Sequence, residues 1–182
     1  MYRYICLFFM LNFIYSGFKV GMDFNSEVEL SSSGYYSSSI DYDLDNGFSI
    51  GFETLRGNGI SFAIDYLMKT ELEGAGGVEA SLISVYALYP FYNSTSENSP
   101  QVVVSGMLGY SIPDLSYDGD STELDADGGL MYGIEALFNN HFSVAMTFHN
   151  GELSPSYDYD YYYGYDMSVD FDVSRFTLSY IF

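Results

Sequence analysis

The sequence predicts an all-β protein: an eight-stranded antiparallel up-and-down transmembrane β-barrel. Apolar residues recur at every second position in eight segments, the spacing that sends side chains to alternate faces of a strand. The opposite positions are small and polar, and short turn-forming connections alternate along the chain with longer polar ones. The composition agrees, since 20 Tyr, 15 Phe and 18 Gly among 182 residues, with no Trp, favour strands and tight turns. A formal charge of -20 with five basic residues excludes nucleic acid as a partner, because phosphate binding needs clustered Lys and Arg.

Residues 1–17 read as a signal peptide. Arg3 gives the positive start, Ile5 to Tyr15 the apolar stretch, and Ser16-Gly17 a cleavage site. The stretch is shorter than the ~20 residues of a spanning helix, and it holds the sole cysteine, Cys6. The barrel is expected over residues 18–182.

The first strand sets Phe18, Val20, Met22 and Phe24 against Lys19, Gly21 and Asp23. The second sets Phe48, Ile50 and Phe52 against Ser49, Gly51 and Glu53. The third sets Ile60, Phe62, Ile64, Tyr66 and Met68 against Ser61, Ala63, Asp65 and Lys69. In the fourth, about Val78 to Tyr92, both faces are apolar and the phase is ambiguous, leaning to Ile83, Val85, Ala87, Tyr89 and Phe91 outward. The fifth places Val102, Val104, Leu108 and Tyr110 outward, with Val103 and Met107 as apolar exceptions on the small-residue face. The sixth and seventh put Leu130, Tyr132, Ile134, Ala136 and Phe138, then Phe142, Val144, Met146 and Phe148, on the apolar face.

The eighth ends on Phe176, Leu178, Tyr180 and Phe182, opposite Arg175, Thr177, Ser179 and Ile181. Upstream, Met167, Val169, Phe171 and Val173 hold the other phase. Either a β-bulge lies near Ser174, or the strand there projects above the membrane, where phase no longer matters. Compact connections at 56–59, 93–99 and 139–140 face longer ones at 31–46, 113–127 and 152–165, with a short exception at 74–77. Such asymmetry is expected of outer-membrane barrels.

Charge decides which face meets lipid. Lys19, Lys69 and Arg175 all fall on the small polar face, as do Asp23, Glu53, Asp65 and Glu135. Enclosed in a narrow lumen these seven must pair, since an unpaired buried charge costs several kcal/mol. An interior network is therefore expected, with Lys19 near Glu53.

The run Phe176-Thr177-Leu178-Ser179-Tyr180-Ile181-Phe182 looks like the terminal signature of outer-membrane barrels, a final Phe preceded by apolar or aromatic residues at alternate positions. With the leader and the hairpins, the mature chain resembles the opacity-protein-like superfamily of eight-stranded outer-membrane β-barrels, which includes adhesin, porin-like and lipid-modifying members. The resemblance implies the outer membrane of a Gram-negative bacterium, surrounding lipid and lipopolysaccharide, and barrel-assembly machinery that reads Phe176, Leu178, Tyr180 and Phe182.

The long connections carry Asp118, Asp120, Asp125 and Asp127, oxygen ligands that suit Ca²⁺. Their spacing fits no EF-hand loop, and a solvated acidic loop is the plainer reading. Tyr157 to Tyr165 is either a recognition surface for an extracellular ligand or part of the interfacial girdle. His149 shares a strand face with Ser143 and Thr147, yet Asn150 and Gly151 follow it, giving no serine two positions on, and His141 sits in a turn, so no catalytic constellation forms. The expectation is no enzyme and no cofactor, but a barrel with acidic, Tyr-rich loops in an envelope-structural or adhesion-type role. A narrow porin-like channel is the alternative, and a lipid-modifying enzyme the remote one.

Overall fold

The computed structural model describes residues 16–33, 38–54, 59–94, 101–117, 124–155 and 168–182. Nine antiparallel strands follow in order: β1 (Ser16–Ser33), β2 (Ser38–Leu44), β3 (Phe48–Thr54), β4 (Ser61–Glu71), β5 (Val78–Ser94), β6 (Val102–Tyr117), β7 (Leu124–Phe138), β8 (Phe142–Pro155) and β9 (Ser168–Ile181). β3 pairs with the start of β1 and β2 with its continuation, so the two share one stave and nine strands make eight. β9 pairs back to β1 and closes the barrel. In hydrocarbon an open edge would strand backbone N–H and C=O groups, each at several kcal/mol, so closure is what a membrane demands.

The alternation has the expected sense. Phe18, Ile50, Phe62, Val85, Leu108, Ile134, Met146 and Leu178 are exposed on the outer wall, while Lys19, Asp23, Ser49, Glu53, Ser105, Glu135, Ser143 and Arg175 are buried within. β5 resolves its ambiguous phase the same way, with Ile83, Val85 and Tyr89 outward and Ser84, Tyr86 and Leu88 inward. At the end that carries both Ser16 and Phe182, Asn139 and Asn140 adopt φ 51° and 62°. These left-handed conformations, which Asn tolerates, suit the twist of a tight hairpin, and the Phe138 carbonyl accepts from His141 N–H at 3.1 Å.

The far end corrects the sequence reading. Segment 31–46, expected as a loop, contains β2, and the loops expected at 113–127 and 152–165 are shortened by β6, β7 and β8, which run to Tyr117, start at Leu124 and run to Pro155. The strands continue, but their faces exchange character. Above the apolar belt, Glu27, Glu29, Asp41, Asp43, Glu152 and Asp170 are exposed, and Val28, Leu44, Leu72, Ala80, Leu153, Phe171 and Val173 pack inside.

β1 achieves the exchange with a bulge. Between Phe24 and Glu27 it advances three residues while β9 advances two, from Phe176 to Ser174. One extra residue flips the phase, so Asp23 and Val28 both point inward. β9 has no bulge near Ser174, contrary to expectation; the extra residue lies on β1, the strand facing it. β9 alternates without interruption, with Phe171, Val173, Arg175, Thr177 and Ser179 all buried. A second bulge, on β4 between Leu67 and Thr70, adjoins the break that separates β2 from β3. Ser16 and Gly17, expected at the leader's cleavage site, already pair with Thr54 and Glu53.

Candidate functional site: the filled lumen

Among the described residues, the acids Asp23, Glu53, Asp65 and Glu135 and the bases Lys19 and Arg175 point into the lumen. Closure of the barrel brings β1 beside β9, where Asp23 pairs with Thr177 one rung from Arg175. Arg175 then donates to Asp23 Oδ2 through Nη2 at 2.7 Å and Nε at 3.2 Å. The Thr177 hydroxyl donates to the other oxygen of that carboxylate. Both charged residues are almost wholly buried.

A second cluster forms around Lys19 on β1. Its Nζ lies 3.1 Å from Asp65 Oδ2, 3.0 Å from the Tyr86 hydroxyl and 3.7 Å from Glu135 Oε1. The Tyr86 hydroxyl in turn donates to Asp65 Oδ2. Lys19 was expected near Glu53, which is buried on the adjoining stave opposite Gly17. The ion pairs of Lys19 run to Asp65, in register with it across Gly51, and to Glu135 of β7.

Lys69 does not belong to the interior, contrary to expectation. The extra residue in β4 turns it outward, where it is exposed and its Nζ donates to Ser116 Oγ at 2.9 Å. Simple alternation could not reveal this, because a bulge leaves no unambiguous mark in the sequence. Tyr86 was missed for another reason, since both faces of β5 are apolar. Its signal was a polar tip in the same phase as Ser84.

His149 lies between the clusters. Its Nε2 is 2.8 Å from Thr147 Oγ1, and its Nδ1 is 3.5 Å from Ser84 Oγ, the outer limit of a hydrogen bond. Ser143, proposed with it from sequence, is buried on β8, whereas Ser84 arrives from β5 through the barrel's curvature. Among the described residues both ring nitrogens thus face hydroxyls. His149 is 2 % exposed, and the space bounded by Lys19, Asp65, Ser84, Tyr86, His149 and Arg175 has room for about one water.

Apolar clusters accompany these ion pairs: Ala63, Leu88, Met107, Met131 and Ala145 pack beside Tyr86 in the middle of the lumen, and two others lie towards its ends. Val103, Leu137 and Ile181 pack together near the chain ends, and the Val28–Phe171 cluster fills the far end. Of the Ca²⁺ candidates, Asp118 and Asp120 lie outside the described residues, as does Tyr157 to Tyr165. Asp125 and Asp127 are rungs of β7, opposite Ser154 and Glu152. Among the described residues no three His, Cys, Asp or Glu are grouped to hold a metal ion.

The terminal signature residues lie on the outer wall. Phe176, Leu178 and Phe182 are exposed, and Tyr180 meets Phe182 and Phe142 edge-on at ring separations of 4.8 and 4.9 Å.

No protein-family pattern matches the chain, and no curated protein matches its sequence. Solved structures do. The outer membrane protein OprG from Pseudomonas aeruginosa aligns at 12% identity and a TM-score of 0.50, covering 91% of this chain and 96% of OprG. Neisserial surface protein A aligns at 15% identity and 0.44, covering 91% and 97%. Ail, the attachment invasion locus protein of Yersinia pestis, aligns at 17% and 0.44, covering 92% and 97%. The likeness to OprG is one of fold.

Proposed function

From the premise that this chain has the fold of the small outer-membrane β-barrels, we propose that it is a non-conducting barrel of a Gram-negative outer membrane, exported by the leader in residues 1–17. Its far end faces the medium and makes the contacts, in an envelope-structural or adhesion-type role. Outer-membrane lipid and lipopolysaccharide surround it. The barrel-assembly machinery reads the outer-wall row Phe176, Leu178, Tyr180 and Phe182.

The observation that carries this reading is the stacking inside the lumen. Val103, Leu137 and Ile181 form one layer, the ion pairs of Lys19 and Arg175 the next, and the cluster around Val28 and Phe171 the last. A porin-like channel needs continuous water, and an eight-stranded barrel is just wide enough for its own side chains. Catalysis is disfavoured by the burial of His149 and its hydroxyl neighbours.

Reconstituted in planar lipid bilayers, the protein is expected to give no stable single-channel steps. An epitope inserted between Pro155 and Ser168 is expected to bind antibody on intact cells. A steady conducting state would turn the reading to transport, and an epitope reached only after lysis would reverse the orientation.

A further inference from the structure

β2 ends the strand order, and among the described residues one of its edges is largely unpaired. On one side it pairs with β1 from Ser26↔Leu44 to Ser32↔Ser38. On the other it meets the end of β4. Leu44 bridges Leu72, Asp45 N–H donates to the Glu71 carbonyl at 3.1 Å, and Glu73 N–H donates to the Asp43 carbonyl at 2.8 Å. There the chain turns back through Gly74, Gly76 and Gly77, all at positive φ. Among the described residues, no strand lies beside Ser38–Tyr42 on that side.

Backbone groups alternate in direction along a strand. Because Asp43 and Asp45 bond towards β4, Asp41 and Ser39 direct their N–H and C=O groups the same way, into the gap, while Ile40 and Tyr42 bond towards β1. Ser39, Ile40 and Asp41 are all exposed. Such a row of unused donors and acceptors is a template for one more strand.

The side chains specify what that strand is. On the outer face Asp41 and Asp43 stand opposite Glu29 and Glu27 of β1, and Glu71 and Glu73 are exposed at the end of β4. On the inner face, Ile40 is 53% exposed and pairs with Leu30, which packs on the far-end core together with Tyr42. A second copy of β2 would bring the same carboxylates alongside, so charge disfavours it. We propose that the free edge of β2 over Ser39–Tyr42 takes an extended partner segment that alternates basic and apolar residues. Its basic side chains face the carboxylates of Asp41 and Asp43, and its apolar ones cover Ile40 and Tyr42. This partner class rests on the orientation proposed above, which puts the edge in the medium.

The probe is a short fluorescent peptide of alternating Lys and Val, titrated against the full chain in detergent micelles by anisotropy. Saturable binding is expected. Ser39→Pro removes an edge N–H without touching the β1 ladder or any carboxylate, and should weaken binding about tenfold, whereas Ser39→Ala leaves it unchanged. Methylating alternate peptide amides should abolish binding on the unaltered protein, which keeps the test decisive if Ser39→Pro misfolds. Asp41→Asn with Asp43→Asn should also weaken it. Absence of binding, or binding indifferent to both Ser39→Pro and amide methylation, overturns the proposal. So does self-association of the chain that Ser39→Pro abolishes, which would make the occupant a second copy. Failure here leaves the conductance and epitope results standing, because the peptide assay needs neither a membrane nor an orientation.

Discussion

Arg175 and Asp23 are 152 positions apart in the chain, yet they share two hydrogen bonds across the seam that closes the barrel. The pair is desolvated, so its value lies in both members being present. Removing one leaves a buried charge, at a cost of about 3–5 kcal/mol, whereas replacing both by apolar groups of similar volume is often neutral. Arg175→Met should therefore lower the unfolding free energy of the vesicle-inserted barrel, read from urea titration, by an amount of that order, and Arg175→Met with Asp23→Leu should recover most of it. If the double variant is as unstable as the single, the contribution is packing and not charge. The sequence placed both residues on one face, because their neighbours alternate cleanly. It could not assign partners, since Lys19 and Arg175 can each face several acids in a tube and only register selects among them. Lys69 shows the same limit, for its direction depends on one inserted residue.

Strands β1 and β9 solve one problem by different means. Both leave the apolar belt and enter an acidic surround, and both need apolar side chains inside thereafter. β9 does so in its sequence, exchanging Arg175 and Thr177 for Val173 and Phe171 on an unbroken inner face. β1 slips its phase instead, which brings Val28 inward and sends Glu27 and Glu29 out. Deleting Asn25 removes the extra residue yet leaves Ser26 and Val28 inward and Glu27 outward, so β1 and β9 would then advance in step. The deletion variant is expected to keep the heat-modifiable migration of a folded barrel in electrophoresis, and its loss would show that the bulge itself is required. Legibility followed the same line. Period-two alternation located the eight staves, but the far ends of the strands read as loops because their apolar phase is reversed relative to the belt below. The outer wall pays for this arrangement with like charges directly opposed, Glu29 lying between Asp41 and Asp172, and Asp170 beside Glu152. Such pairs destabilise by roughly 0.2–1 kcal/mol each. Glu29→Gln should accordingly raise the thermal midpoint in low salt and do so less in 1 M NaCl, where the Debye length falls to about 3 Å.

The molecule as a whole is two barrels on one set of staves. The lower has an apolar exterior and a polar interior, as lipid requires. The upper has an acidic exterior and an apolar interior, the arrangement of a water-soluble protein. On the proposed reading of a plugged lumen, the apolar clusters and the ion pairs obstruct water in succession and none is the sole gate. Opening one layer should then leave the others closed. Phe171→Ser in the upper core, or Ile181→Ser in the layer near the chain ends, is expected to lower stability by a few kcal/mol through lost burial and packing. Each variant should remain silent in planar bilayers. Conductance from a single-layer variant that is still folded by heat-modifiable migration would show that the remaining layers yield to water, and the lumen would then have to be read as a gated path.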